Sequence, residues 1–322
     1  MKLLFWGLSL MICAVGGLWM FGPREPVVTD VQFDASNLNN GIDPWLSAQE
    51  ARFDDITDGV AKQVIWAAEP ETKTDWAVVY IHGFSATSQE VRPLPDLVAQ
   101  GLGANLVFTR LQGHGRTGDA MAEASVEGWM HDVAEALAIA DRIGKKVLVI
   151  GTSTGATLAA LALHQDFGKP VSAVVMISPN FRVKAPASQL LTWPAARWWL
   201  PLVAGADRNF TPTNDDHARF WTTQYPTSAL LPMAASVQAA RALAHNQATQ
   251  PALFIFDDLD QVIDHSVTRE IASNWGGPVT LHSVDTGPDG DPGRHVIAGR
   301  IMSPTQTQPQ AEIIITWAQE TQ

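Results

Sequence analysis

The pentapeptide Gly151-Thr152-Ser153-Thr154-Gly155 carries the strongest chemical signal in the sequence. It follows the apolar run at residues 147–150 and precedes a stretch of small residues, which predicts a turn between a strand and a helix. A G-x-S-x-G turn in this setting is a nucleophile elbow, which lifts the serine hydroxyl above the sheet. The glycines that flank it, Gly151 and Gly155, suit a turn too tight for side chains. We therefore predict that Ser153 is a nucleophile.

A second signal lies at the end of the apolar run at residues 76–81, where the chain reads His82-Gly83-Phe84. Gly83 permits a bend that turns the amide of Phe84 inward. Together with the amide of Thr154, it would form an oxyanion hole. An ordinary turn is the alternative interpretation of a lone His-Gly pair.

A serine hydroxyl becomes a good nucleophile only when a histidine removes its proton and an acid orients that histidine. In this class of site the order along the chain is serine, acid, histidine. The histidines after the predicted strand at residues 252–256 are His265, His282 and His295. His265 comes too early in that order, and His282 lies inside a predicted strand. His295 follows a loop rich in glycine, proline and aspartate at residues 287–294, so we predict that it is the base.

The acid should lie in the loop after the predicted strand at residues 252–256. There are four candidates. Asp257 and Asp258 leave directly from the strand end, and Asp260 lies in mid-loop. Asp264 resembles the N-cap of the next helix.

Strands and helices alternate through most of the chain, which predicts an α/β fold with a doubly wound, mostly parallel sheet. The core comprises residues 74–182 and 251–322, preceded by a stalk and N-terminal extension at residues 23–73. Residues 183–250 interrupt the alternation without a strand-like run and predict a helical cap over the sheet. The tryptophans of this cap either line an acyl pocket or form its own core: Trp193, Trp198, Trp199 and Trp221.

The first 22 residues contain twenty uncharged positions, Leu3 to Gly22, which is about the length of one bilayer crossing. The bulky end of this run, including Trp19, favours an uncleaved membrane anchor over a cleaved signal peptide. The positive charge of Lys2 before the run places the body outside the cytoplasm, on the periplasmic or extracellular side. If the segment were cleaved, the protein would be secreted.

Charge and motif content exclude several functional classes. The formal net charge of −12 disfavours nucleic acid as a partner. The single cysteine, Cys13, allows neither an internal disulfide framework nor a cysteine-based zinc site. The sequence has no H-E-x-x-H, Walker A or G-x-G-x-x-G motif, so we predict no metal and no cofactor.

Five segments together resemble α/β-hydrolases of the lipase, esterase and serine aminopeptidase-like group, and most of all monoacylglycerol lipases and carboxylesterases. They span about residues 75–300 and comprise Val78–Phe84, Arg110–Gly115, Gly151–Gly155, Phe256–Ile263 and Arg294–Ile297. The resemblance implies that the acid is Asp260, the aspartate two residues before the apolar pair Val262-Ile263. It also implies that residues 183–250 are the family's cap.

The residues and the resemblance predict the same chemistry. Ser153 attacks an acyl carbonyl with His295 as base and Asp260 as its orienting acid. The expected substrate is a carboxylic ester with a lipid or acylglycerol-like acyl chain. The alternatives are an amide or peptide hydrolase with the same triad, and a non-catalytic binding protein built on this fold.

Overall fold

A parallel sheet forms the centre of the structure, a computed structural model that describes residue 6 and residues 16–321. In chain order the strands are β1 (Gln63–Ile65), β2 (Thr74–Ile81), β3 (Asn105–Phe108), β4 (Gly144–Thr152), β5 (Val171–Ile177), β6 (Asp207–Asn209), β7 (Gln224–Pro226), β8 (Ala252–Phe256) and β9 (Val279–Ser283). Seven of them make one sheet in the order β1-β3-β2-β4-β5-β8-β9. Only β1 runs antiparallel to its neighbour within this sheet. The predicted α/β class with a mostly parallel sheet is therefore confirmed.

Helices cover both faces of the sheet. Apart from a helical stretch at residues 16–21, the α-helices are α1 (Ile42–Glu50), α2 (Leu94–Leu102), α3 (Val126–Ile143), α4 (Thr154–Ala162), α5 (Ala196–Ala204), α6 (Asp215–Phe220), α7 (Leu230–Arg241), α8 (His265–Ser273) and α9 (Pro304–Glu320). The apolar faces of α2 and α9 pack on one side of the sheet, and those of α3, α4 and α8 pack on the other. Strand β2 is apolar from Trp76 onward because Val78 and Tyr80 face one layer while Val79 and Ile81 face the other.

The apolar residues Val91, Leu94, Leu97 and Val98 have helical spacing, which predicts a helix over residues 89–100, but the structure differs. The helix begins only at Leu94, after Pro93. A residue before proline avoids the α conformation, and proline itself fits only the first turn of a helix. Residues 82–91 are thereby left to form an irregular loop at the carboxyl end of β2.

The segment between β5 and β8 carries α5, α6 and α7 together with an unpredicted pair of strands. Strands β6 and β7 pair antiparallel, with Arg208 opposite Tyr225. All three residues of β6 are polar and exposed. The sequence there lacks the alternation of apolar and polar residues that marks a half-buried strand, so the strand could not be predicted.

The prediction of a transmembrane segment at Leu3 to Gly22, and with it a membrane anchor, is wrong. Residues 1–5 and 7–15 lie outside the described part of the chain. Among the residues that are described, no helix is long and apolar enough to cross a membrane. The described part of this segment is a helical stretch at residues 16–21. Its Trp19 packs edge-on against Trp193, with ring centroids 5.1 Å apart. Hydropathy alone does not determine whether apolar side chains contact lipid or other side chains.

Candidate active site

The elbow between β4 and α4 holds Ser153 in a backbone conformation that residues with a side chain rarely adopt, with φ +52° and ψ −114°. Both flanking positions require glycine. A Cβ at Gly151 would lie 2.7 Å from the backbone of Ala156, and one at Gly155 would lie 2.0 Å from the carbonyl oxygen of Ile81. These close contacts hold the start of α4 against the sheet, so the Ser153 hydroxyl extends from the carboxyl edge of the sheet.

Three predicted residues from distant parts of the chain meet at this edge. His295 Nε2 lies 2.9 Å from Ser153 Oγ, and His295 Nδ1 lies 2.7 Å from Asp260 Oδ2. An ionised carboxylate only accepts hydrogen bonds, so Nδ1 donates to Asp260 and Nε2 is left to accept the serine proton. The three side chains are buried, which keeps bulk water from competing for these bonds.

The protonation of His295 reflects opposing influences. Burial by itself would lower the pKa of this imidazole. The charge and hydrogen bond of Asp260, helped by the charges of Glu90 and Asp291, outweigh burial and raise the pKa above its usual value. The same charges would stabilise an imidazolium if the histidine took a proton from Ser153.

The loop after β8 holds Asp260 through its second carboxylate oxygen. Oδ1 accepts hydrogen bonds from the amides of Val262 and Ile263, at 2.7 and 3.0 Å. Lys184, from the segment after β5, donates from Nζ to the main-chain carbonyl of Asp260 at 2.9 Å. Its own amide donates to the carbonyl of Val262. Asp260 is thus held from two sides, and only Oδ2 remains for His295.

The other three aspartates are occupied elsewhere. Asp257 accepts from the amides of Leu259 and Thr286, as a turn residue does. Asp258 binds Arg269 and the hydroxyl of Ser283. Asp264 caps α8 by accepting from the amide of Ser266. The other two candidate histidines lie apart from the triad: His265 stacks on Phe256, and His282 lies in β9.

Two amides beside Ser153 are arranged as possible oxyanion donors. Thr154 is the first residue of α4, so its N–H has no partner within the helix. Phe84 lies in the loop after β2, between two anchored residues. The amide of Gly83 donates to Glu90 Oε2 at 2.7 Å, and the carbonyl of Ser85 accepts from the amide of Thr222 at 2.7 Å.

His82 supports this loop in its neutral form. Its Nδ1 donates to the carbonyl of Gly83 at 2.9 Å, while Nε2 accepts from the amide of Leu111 at 3.1 Å. Burial lowers the pKa of His82 to about 4, which matches a ring that both donates and accepts. His82 therefore ties the loop after β2 to the loop after β3.

The loop that carries His295 is held by Asp291, which the sequence analysis did not single out. Asp291 accepts from the amide of Gly293 through Oδ1, and from the amides of His295 and Val296 through Oδ2, at 2.9 to 3.0 Å. The signal in the sequence is an aspartate two residues before a glycine and four before the histidine. Short polar side chains at such spacings commonly bind the backbone of the turn that follows.

Asp291→Ala is expected to lower the free energy of unfolding by about 1–3 kcal/mol, because buried amides lose their acceptor. It should also reduce turnover at least about tenfold, because the His295 backbone is no longer held. Thermal unfolding and ester hydrolysis measure the two effects. Asp289→Ala is the matched control in the same loop, since Asp289 is exposed. Equal losses in the two variants would contradict the role of Asp291.

The segment between β5 and β8 covers the site. The ring of Tyr225 meets that of Phe84 edge-on at 5.3 Å, and Ser153 is only 7% exposed. The tryptophans of the segment are divided between surface and core. Trp221 is buried against the sheet, whereas Trp198 is 64% exposed. Trp193 lines a groove of about 830 Å³ whose walls include no triad residue. Within the described part of the chain, no group of three or more His, Cys, Asp and Glu side chains is arranged to hold a metal ion.

The sequence and structure are similar to those of known hydrolases. A thermostable monoacylglycerol lipase from Bacillus sp. (strain H-257) is 27% identical over 192 residues, which is 58% of this chain and 71% of that protein. A metagenome-derived lipolytic enzyme superposes with a TM-score of 0.67 at 18% identity, covering 82% of this chain and 99% of that one. A soluble variant of monoglyceride lipase from Saccharomyces cerevisiae superposes with a TM-score of 0.61 at 11% identity, covering 81% and 91%. At such identities the structural matches show the fold.

The family itself is shown by a family model. The model described as serine aminopeptidase, S33, matches residues 72–287, which include the elbow and the acid loop. The chain belongs to this hydrolase family and is a lipase- and esterase-like α/β-hydrolase.

Proposed function

We propose that the protein is a serine hydrolase that cleaves carboxylic esters through an acyl-enzyme on Ser153. The observation that carries this proposal is the continuous hydrogen-bonded series from Asp260 through His295 to Ser153, with separations of 2.7 and 2.9 Å. A non-catalytic binding protein would have no need for this geometry, and a strained elbow is costly to keep without a function.

Each step of the reaction has a group in place. Ser153 Oγ attacks the ester carbonyl carbon while its proton moves to His295 Nε2. The amides of Phe84 and Thr154 donate to the resulting oxyanion. When the bond to the alcohol oxygen breaks, His295 returns the proton to that oxygen. Water then attacks the acyl-enzyme by the same route and releases the carboxylic acid.

The proposed substrate class is an ester of a medium or long acyl chain, such as an acylglycerol. It is supported by the likeness to enzymes named as monoacylglycerol lipases. Residues 74–182 and 251–322 would form the catalytic core and residues 183–250 its cap, with residues 23–73 as an extension. The location outside the cytoplasm stays a prediction from the sequence. Amide hydrolysis with the same triad is the second candidate, because the family model is described as a serine aminopeptidase.

A substrate panel separates these candidates. We expect kcat/KM for p-nitrophenyl esters to rise with acyl length by up to roughly fourfold per methylene, because each buried methylene contributes about 0.8 kcal/mol. Monoacylglycerols and aminoacyl p-nitroanilides are compared in the same assay. Faster cleavage of the anilides than of every ester would favour the amide hydrolase. Failure to react with a fluorophosphonate would favour the binding protein, since only an activated serine is labelled.

A further inference from the structure

A buried carboxylate outside the triad lies against the loop that carries Phe84. Glu90 is 3% exposed, and among the described residues no lysine, arginine or histidine forms an ion pair with it. Its Oε2 accepts from the amide of Gly83 at 2.7 Å and from the hydroxyl of Tyr80 at 2.9 Å. A buried carboxylate without a cation is costly, so its contacts point to a role beyond packing.

Glu90 packs directly against Gly83, the residue before Phe84. A Cβ at Gly83 would lie 2.6 Å from Glu90 Oε1, so the carboxylate occupies the space that a side chain would take. The Phe84 N–H belongs to the peptide group that joins Gly83 to Phe84. Glu90 holds the peptide group immediately before it, through the Gly83 N–H, and the bond from Thr222 to Ser85 lies on its other side. The carbonyl of Gly83 itself accepts from His82 Nδ1 at 2.9 Å.

We propose that Glu90 is a positioning residue for the oxyanion hole. It holds the Gly83 amide so that the Phe84 N–H stays directed at the oxyanion, and it acts through this peptide without touching the substrate. The inference rests on the proposed acyl transfer at Ser153 and adds to it a residue from the chain after β2. A donor held in advance stabilises the developing charge without reorganising during the reaction.

The charge of Glu90 also affects the pKa of His295. Burial raises the pKa of Glu90 to about 7, against the opposing effects of the Gly83 amide, the Tyr80 hydroxyl and the charge of His295. Tyr80 and His295 are the titratable groups that act on it from the neighbouring elements, and Asp260 and Asp291 also face His295. The ionised carboxylate helps to raise the pKa of His295. Removing that charge should therefore lower the pKa of His295.

Two substitutions separate hydrogen bonding from charge. Glu90→Gln keeps an oxygen that can accept from the Gly83 amide, so kcat should stay within about threefold of the parent. Because the base must be neutral, the acid limb of kcat/KM should move to lower pH when the charge is lost. Glu90→Leu removes the acceptor, and kcat should fall about tenfold to a thousandfold, up to the cost of losing one oxyanion donor, with KM little changed.

The affinity for a tetrahedral analogue measures directly how well the oxyanion hole is formed. An alkyl boronic acid that adds to Ser153 should bind Glu90→Leu more weakly by a factor similar to the loss in kcat/KM. Tyr80→Phe is the matched control, because it removes the other hydrogen bond to Oε2 and leaves the bond to Gly83 intact. Its kcat and boronic acid affinity should stay close to those of the parent.

The proposal is overturned if Glu90→Leu folds and retains kcat within threefold of the parent, or if Tyr80→Phe loses as much boronic acid affinity as Glu90→Leu. It is also overturned if Glu90→Gln loses as much kcat as Glu90→Leu. Fluorophosphonate labelling of the parent separates this outcome from failure of the proposed function. A labelled parent with an unaffected Glu90→Leu variant leaves the serine hydrolase intact and removes only the role of Glu90.

Discussion

Ser153→Ala is expected to reduce ester hydrolysis by about 10⁴-fold or more, since loss of a triad nucleophile removes the acyl-enzyme route. The hydroxyl lies 2.9 Å from His295 Nε2, and alanine has nothing at that position for the base to deprotonate. The fold should be unaffected, because the bonds that hold the elbow come from the backbone of residue 153. Its amide donates to the carbonyl of Ile177, and its carbonyl accepts from the amide of Asn180.

The measurement compares initial rates and melting temperatures of the parent and the variant, with fluorophosphonate labelling as a second readout. Ser236→Ala is the matched control, because Ser236 is also buried and its hydroxyl donates within α7, to the carbonyl of Met233. It should keep the parental rate and label fully. Turnover of Ser153→Ala within tenfold of the parent would rule out Ser153 as the nucleophile.

Asp260→Asn should lower turnover by roughly 10³ to 10⁴ while preserving the fold. The reason lies in how the carboxylate is held. Oδ1 accepts from the amides of Val262 and Ile263, so the oxygen of an asparagine would remain there. The asparagine NH₂ would then face His295 Nδ1 and donate to it. This arrangement places the imidazole proton on Nε2. That nitrogen can then no longer accept the proton of Ser153.

The comparison includes the three neighbouring aspartates as Asn variants, assayed at mildly alkaline pH together with their melting temperatures. Asp258→Asn and Asp264→Asn should change stability more than activity, because these side chains bind Arg269 and the start of α8. If either loses more activity than Asp260→Asn at equal stability, the acid has been misassigned.

The choice of acid illustrates the limit of local sequence patterns. All four aspartates lie within eight residues after β8, and position alone allowed each of them. The resemblance selected Asp260. In the structure, the segment at Arg182–Lys184 runs beside the acid loop, where the amide of Lys184 donates to Val262 and its Nζ to Asp260. This contact joins residues about 76 positions apart, so a local sequence window does not contain it.

The residues that support the site were the hardest to anticipate. Glu90 stands alone between polar residues and an apolar helix, and nothing in its neighbourhood indicates burial. It is buried because the loop after β2 folds back over it. The transmembrane prediction rested on hydropathy alone, and no helix among the described residues is long and apolar enough to cross a membrane.

The sequence by itself determined the parallel sheet, the strand–elbow–helix unit around Ser153 and the order of the candidate serine, acid and histidine. These features depend on periodicity and on backbone conformations that only certain residues permit, and both are local properties. The tertiary structure alone decided that Asp291 and Glu90 hold the loops of the site and that Trp19 packs on Trp193. It also brings Asp260, which the resemblance selected, to His295. The contacts within the site form where parallel strands bring their carboxyl ends to one edge of the sheet, so side chains that are distant in the chain meet there.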